Sequence, residues 1–244
     1  MVRNINRWLG KKTTTHLLLD GGTLSAKEGF HEDYVFDVLN GERLCVVEKK
    51  TPLFRFFVDV DYVSDENELD LEKVAVEISK VVDSGPCVLA KAAPRKTEKG
   101  TKYGMHIVWP ESIVNKQRAN STRMKILDEF GHDDWEKIID ASVYSGSGLR
   151  MLWSYKNDQD STPYTPWGKI DTDHTFKEFK NKDPSVHFLE LFSIRVTDHA
   201  SHEDPCSTQN NSELEIFIRK NLPGQETMKV TRIGKCKNKR DYWI

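Results

Sequence analysis

Nothing in the 244 residues approaches the roughly 18 consecutive apolar positions that a transmembrane helix needs. Met1-Val2-Arg3-Asn4-Ile5 is basic and has no apolar stretch behind it, so no secretory signal is expected. The four cysteines, Cys45, Cys87, Cys206 and Cys236, lie far apart with no C-x-x-C pair. A disulfide framework is therefore not expected, and a reducing, intracellular compartment is. Internal repeats are absent. So is the phosphate-binding loop of a motor: Gly21-Gly22 is followed by no Gly-Lys pair at the required spacing, and Gly234-Lys235 runs into Cys236. Charge of one sign is missing too, since 36 basic residues face 38 acidic ones for a net charge of −2. Binding of nucleic acid by bulk charge alone is excluded.

What is present is locally patterned. Residues 219–244 hold eight Lys/Arg against two acids, residues 1–12 hold four and none, and residues 116–125 again four and none. Basic stripes on a neutral body suit a phosphate polymer, although solvated lysine-rich faces look the same in sequence. The apolar spacing predicts helices over 30–40, 70–82, 121–130 (capped by Ser121 or Thr122), 135–139 and 213–222. Strands are predicted at 44–47, 53–62, 87–93, 103–109 and 186–195, with a hairpin of 140–144 and 149–155 closed by Ser145-Gly146-Ser147-Gly148. Residues 156–183 read as polar loop and 198–212 as a linker. This order describes an α+β fold with helices on one face of a sheet.

Three constellations carry chemistry. In Phe56-Phe57-Val58-Asp59-Val60-Asp61, strand geometry puts both carboxylates on one face and both valines on the other. Two acids so close repel unless a cation lies between them, so the pair suits a divalent metal; it equally suits a strand end that salt-bridges a neighbouring lysine. An EF-hand is excluded because Val63 stands where an oxygen ligand is required. In Lys102-Tyr103-Gly104-Met105-His106, a strand aligns Lys102, Gly104 and His106, and the glycine opens the backbone to an anion. Asp140 is a third carboxylate. Arg150, Leu152, Ser154 and Lys156 share a face if their strand is regular, offering cations to phosphate oxygens. Together these are the parts of two-metal phosphoryl transfer.

The motifs FFVDVD, KYGMHIVW and IDASVY followed by LRMLWSYK, in that order, resemble the archaeo-eukaryotic primase superfamily, most closely the primase and primase-polymerase branch of large DNA viruses. The stretches THLLLDGGTL and VVEKK are similar to that group as well, and the resemblance covers residues 13–196. It implies a catalytic sheet like that of RNA-recognition domains, packed with a small N-terminal α/β unit. It implies Asp59, Asp61 and Asp140 as catalytic ligands of two Mg²⁺ or Mn²⁺ ions. His106, Lys102, Arg150 and Lys156 match residues that meet the incoming nucleotide, with Gly104 in the position where many relatives carry Ser; the Gly104 backbone is expected to supply that contact.

The expected organisation is a catalytic domain over 1–197, a linker over 198–212, and a basic segment over 213–244 that begins a further domain. The expected activity is template-directed primer synthesis from nucleoside triphosphates on single-stranded DNA, in viral DNA replication, with a helicase module further along the full-length protein. A metal-dependent nuclease and a non-catalytic single-strand-binding module are the rivals. His199, His202, Cys206 and Cys236 do not match the spacing of a usual zinc finger, and no zinc is expected.

Overall fold

The computed structural model describes residues 3–10, 14–64, 69–146, 148–156 and 161–196, and beyond them 233–235 and 241–243. The chain divides into two units, Met1–Val196 and Thr197–Ile244. The expected linker, the helix at 213–222 and the four candidate zinc ligands lie outside the described residues.

The first unit holds two antiparallel sheets. After a 3-10 helix, Asn4–Trp8, come β1 (His16–Leu18), β2 (Thr23–Leu24), α1 (Phe30–Leu39) and β3 (Val46–Lys49). Gly21 and Gly22, at φ 112° and 104°, make the tight turn between β1 and β2. Next come β4 (Leu53–Ser64), α2 (Leu71–Val82), β5 (Cys87–Thr97), β6 (Gly100–Asn115), α3 (Lys116–Phe130), α4 (His132–Ile138) and α5 (Ser142–Ser145). The unit closes with β7 (Gly148–Arg150), β8 (Tyr164–Ile170), β9 (Phe176–Glu178) and α6 (Val186–Phe192). The small sheet runs β2-β1-β3-β7 and the large one β4-β6-β5-β8-β9.

The large sheet has the topology of an RNA-recognition fold. Strand β4, helix α2 and strand β5 form a split crossover into which β6 inserts antiparallel. A fourth strand of that topology would lie on the free edge of β4, and there Ile139 forms a one-residue bridge to Val60. Helix α2 begins where Asp70 accepts from the Lys73 N–H at 3.0 Å, and buries Val74, Ala75, Ile78 and Val82 at helical spacing. Burying each of the larger of these side chains contributes about 2 kcal/mol. Buried residues of both sheets form one continuous core, with Trp109, Phe54, Phe56, Phe57 and Tyr144 among its largest members.

Four expectations need correction. Helix α3 starts five residues earlier than Ser121, because Asn115 caps it by accepting from the Arg118 N–H at 2.9 Å. The hairpin of 140–155 does not form: 142–145 is a helical turn, and β7 pairs with β3, Val47 opposite Arg150. Residues 186–195 are not a strand: 186–192 form α6, with Phe188, Leu189 and Phe192 buried at helical spacing behind Ser185 as cap, and Arg195 forms only a one-residue bridge to Phe54. The supposed loop 156–183 contains β8 and β9. Its prolines hid the strand, yet β9 pairs only with 168–170, so Pro166 lies where no β9 carbonyl needs its missing N–H.

The second unit is described only as a hairpin of β10 (Ile233–Lys235) and β11 (Asp241–Trp243), with Gly234 opposite Tyr242.

Candidate active site

Register builds the site. Across β4, β6, β5 and β8 one row reads Asp59, His106, Ala90, Pro166, and the next reads Asp61, Gly104, Ala92, Tyr164. The opposite face carries Val58 against Ile107 and Val60 against Met105, all fully buried. The period-two alternation of one strand thus gives the core its valines and the site its acids.

Asp59 is the most constrained of the acids. Its side chain is 16 % exposed, and Oδ1 is buried with no hydrogen-bond partner, the imidazole Nε2 of His106 standing 3.5 Å away. Burial, then the charges of Asp61 and Asp140, push its pKa up to about 7. Asp61 is half-buried and pairs with Lys102 at 2.7 Å, the neighbouring lysine foreseen as one reading of the acidic pair.

Asp140 is delivered by the Ile139 bridge. Its N–H donates to the Asp59 carbonyl at 3.0 Å, and its carboxylate accepts from the Ser142 N–H and hydroxyl at 2.7 and 2.8 Å. Arg123 fastens this junction from below, donating through Nε to the Ile139 carbonyl at 2.9 Å and through Nη2 to the Glu136 carbonyl at 2.7 Å. Arg123 therefore leaves the basic stripe of 116–125: it is a buried clamp on the segment that carries Asp140.

The cations come from elsewhere. Arg150 reaches the site from the small sheet, its guanidinium 4.5 Å over the Tyr164 ring and donating to the Thr162 carbonyl at 3.2 Å. Arg150, Leu152, Ser154 and Lys156 do not share a face, because the chain turns at Trp153, which has φ 56°. Ser154 is buried instead, donating to the Leu44 carbonyl and accepting from the Val46 N–H. Lys156 nevertheless returns to the cleft that holds Asp61, Lys102, Gly104, Arg150 and Tyr164. Burial, then Lys102, lowers its pKa. His106 is buried against Tyr164, ring centroids 3.5 Å apart; burial, then Arg150 and Lys156, hold its pKa well below 6.5, so the imidazole is neutral.

All eight anticipated site residues therefore lie on or beside one sheet face. Sequence reasoning missed Tyr164, masked by Pro163 and Pro166, and Arg123, whose place in the buried stripe of Ala119, Ile126 and Leu127 was the available signal. It also gave Gly104 an incomplete reason. A Cβ there would come within 2.6 Å of Tyr164 Oη, so glycine makes room for the tyrosine as well as for a ligand. Glu48 of the VVEKK stretch lines a small cavity with His106 and Arg150, but its carboxylate is engaged structurally: it is buried and accepts from the Ser193 hydroxyl and the Ile194 N–H. A roomier cavity of about 610 Å³ lies beside Lys91, Tyr103 and Trp167 and contains none of the eight.

The acidic residues fit a hard divalent cation. Carboxylate oxygens are its preferred ligands, and Asp59 Oδ1 is a buried acceptor with nothing donating to it. Among the described residues no three His, Cys, Asp or Glu side chains stand ready as a closed metal cage; Lys102 holds Asp61 and Ser142 holds Asp140.

With this geometry in place, the sequence comparison is direct. The family model described as the C962R protein N-terminal AEP domain, AEP denoting archaeo-eukaryotic primase, matches residues 18–170. The chain belongs to that family, within the viral primase type of the superfamily. No curated protein matches it. Family membership supports a primase-like nucleotidyltransferase function at the level of the superfamily. No helix among the described residues is long and apolar enough to cross a membrane.

Proposed function

We propose that this chain synthesises primers on single-stranded DNA by template-directed nucleotidyl transfer, in viral DNA replication inside the host cell. The observation that carries the reading is the juxtaposition of an acidic row containing a buried, unsatisfied carboxylate oxygen with Lys102, Arg150 and Lys156. A module that merely binds nucleic acid gains nothing from carboxylates on its binding face, where they repel phosphate.

Asp59, Asp61 and Asp140 would hold two Mg²⁺ or Mn²⁺ ions. When bound, such ions lower the pKa of an attacking hydroxyl and neutralise charge on the leaving pyrophosphate. Lys102, Arg150 and Lys156 bind the triphosphate and offset its charge, Arg150 through a planar fork suited to two oxygens. His106, kept neutral, offers a ring N–H to a phosphate oxygen without adding charge beside Asp59. The bridge of Ile139 to Val60, clamped by Arg123, fixes Asp140 relative to Asp59. The attacking 3′-hydroxyl belongs to the primer end or, in the first step, to a second nucleotide. The family resemblance further supports a helicase module as a partner of this activity.

The test mixes the chain with unprimed single-stranded DNA, Mg²⁺ or Mn²⁺, and labelled ribo- or deoxynucleoside triphosphates. Labelled oligonucleotides of more than one unit are expected. Loss of label from end-labelled DNA without incorporation would instead identify a nuclease. Metal-independent DNA binding without either reaction would identify a binding module.

A further inference from the structure

Tyr164 belongs to a part of the chain to which neither the sequence motifs nor the family match gives a role. It is 3 % exposed and sits at the end of the row Asp61, Gly104, Ala92, Tyr164. The two positions between Tyr164 and Asp61 carry the smallest side chains available, an alanine and a glycine. The phenol extends over them: a Cβ on Gly104 would stand 2.6 Å from its Oη and 3.2 Å from its Cζ. The ring is held between His106, 3.5 Å between centroids, and the Arg150 guanidinium, 4.5 Å from the ring centre. Two residues assigned to the nucleotide therefore pack on this one side chain, which lines the cleft shared with Lys102, Arg150 and Lys156, its hydroxyl beside Gly104 of the same cleft.

We propose that Tyr164 is a nucleotide-contacting residue, its phenol O–H donating a hydrogen bond to a phosphate oxygen of the bound nucleoside triphosphate. The proposal rests on the nucleotidyltransferase reading above and deepens it. Arg150 lies over the phenol ring and donates to the Ser154 and Thr162 carbonyls, and because a guanidinium only donates, it cannot take up the phenol's own hydrogen. Burial and the charges of Asp59 and Asp61 keep the phenol's pKa well above 10, so it remains a donor across the working pH range. A phosphate oxygen is the acceptor that three surrounding cations would bring there. Asp61, the nearest carboxylate along the row, is already engaged by Lys102 at 2.7 Å.

The experiment moves the hydroxyl from one side chain to another. Tyr164→Phe keeps the ring between His106 and Arg150 and deletes only the O–H. Gly104→Ser alone drives a Cβ into Oη. Combined with Tyr164→Phe, the same serine needs the ring to give by a few tenths of an ångström and restores a hydroxyl at nearly the same place. Steady-state incorporation, template affinity and thermal melting are measured for all four proteins. Tyr164→Phe is expected to raise the nucleotide KM about tenfold, with kcat and template affinity within about twofold of wild type. Gly104→Ser alone should lose most activity, and the double variant should recover most of the KM lost by Tyr164→Phe. A KM for Tyr164→Phe within about twofold of wild type, in a protein that melts normally, overturns the proposal. So does a defect confined to kcat or to template binding. If the wild-type chain incorporates no nucleotide, the underlying reading fails and the proposal with it; a failure of the proposal alone leaves wild-type incorporation intact.

Discussion

Buried acids occur in both halves of the first unit, and the two halves treat them differently. In the N-terminal half Asp37 accepts from the Asn4 N–H and side-chain amide and from the Ile5 N–H, at 2.8, 2.9 and 2.8 Å. Glu48 accepts from the Ser193 hydroxyl and the Ile194 N–H at 2.6 and 2.7 Å. Each fastens distant stretches of chain, Asp37 the 3-10 helix to α1, and Glu48 strand β3 to the segment after α6. On the large sheet Asp59 has a buried oxygen with no donor, and Asp61 and Asp140 raise its pKa further. A buried acceptor left unmade costs free energy that the rest of the fold must offset. The donors that saturate Asp37 and Glu48 show that this fold is able to satisfy a buried carboxylate. Where it does not, at Asp59, the proposed function supplies a bound cation as the missing partner.

Breaking that contrast gives its largest effect at Asp59. Asp59→Asn removes the charge that a metal requires and should reduce nucleotide incorporation by roughly a thousandfold, about 4 kcal/mol of transition-state stabilisation. The metal-free protein should nevertheless melt no lower than wild type, because an uncompensated buried charge has been removed. Thermal unfolding with and without Mg²⁺ beside an incorporation assay checks both halves. A variant that is both inactive and strongly destabilised would make Asp59 another structural acid.

Asp37→Ala should do the reverse. It strands three donors, one of them the buried Ile5 N–H, and should cost about 3 kcal/mol, lowering the melting temperature by roughly 10 °C. Incorporation at a temperature where the variant remains folded should be close to wild type. Loss of activity without loss of stability would erase the distinction between the two halves.

The same contrast explains what was legible in the sequence. The acidic pair was legible because strand periodicity alone decides the faces of Asp59, Val60 and Asp61. The helix over 70–82 was legible because its apolar spacing and Asp70 cap agree. Tyr164 was not, since Pro163 and Pro166 suppress the strand signal and only the strand pairing shows that Pro166 sits beyond the reach of β9. Helix α6 was misread because VHFLELFSIR is rich in β-formers, and burial of Phe188, Leu189 and Phe192 against the core overrides that propensity. The supposed hairpin at 140–155 failed for a similar reason: β7 finds its partner in β3, about a hundred residues earlier, which no local pattern records. The glutamate of VVEKK gave no sign of its role either, because its donors lie at 193 and 194.

Glu48 supplies the smallest effect and the sharpest control. Burial holds its carboxyl above the usual 4.5, although two hydrogen bonds and Arg195 act in the opposite direction. The folded state thus keeps its proton to a higher pH than the unfolded chain does. Its contribution to stability is complete below about pH 4.5 and is lost as pH rises through the folded-state value. Glu48→Gln cannot ionise, yet retains an oxygen for the Ile194 N–H and gains an amide that donates to Ser193 Oγ. The stability of Glu48→Gln relative to wild type should therefore improve between about pH 5 and pH 8. Urea unfolding of both proteins at the two pH values measures this directly, and groups common to both cancel in the difference. A flat difference, or one that falls with pH, would mean that Glu48 is ionised at no net cost in the fold. It would then no longer follow that burial alone, without a ligand, is enough to raise an acid whose acceptors are satisfied.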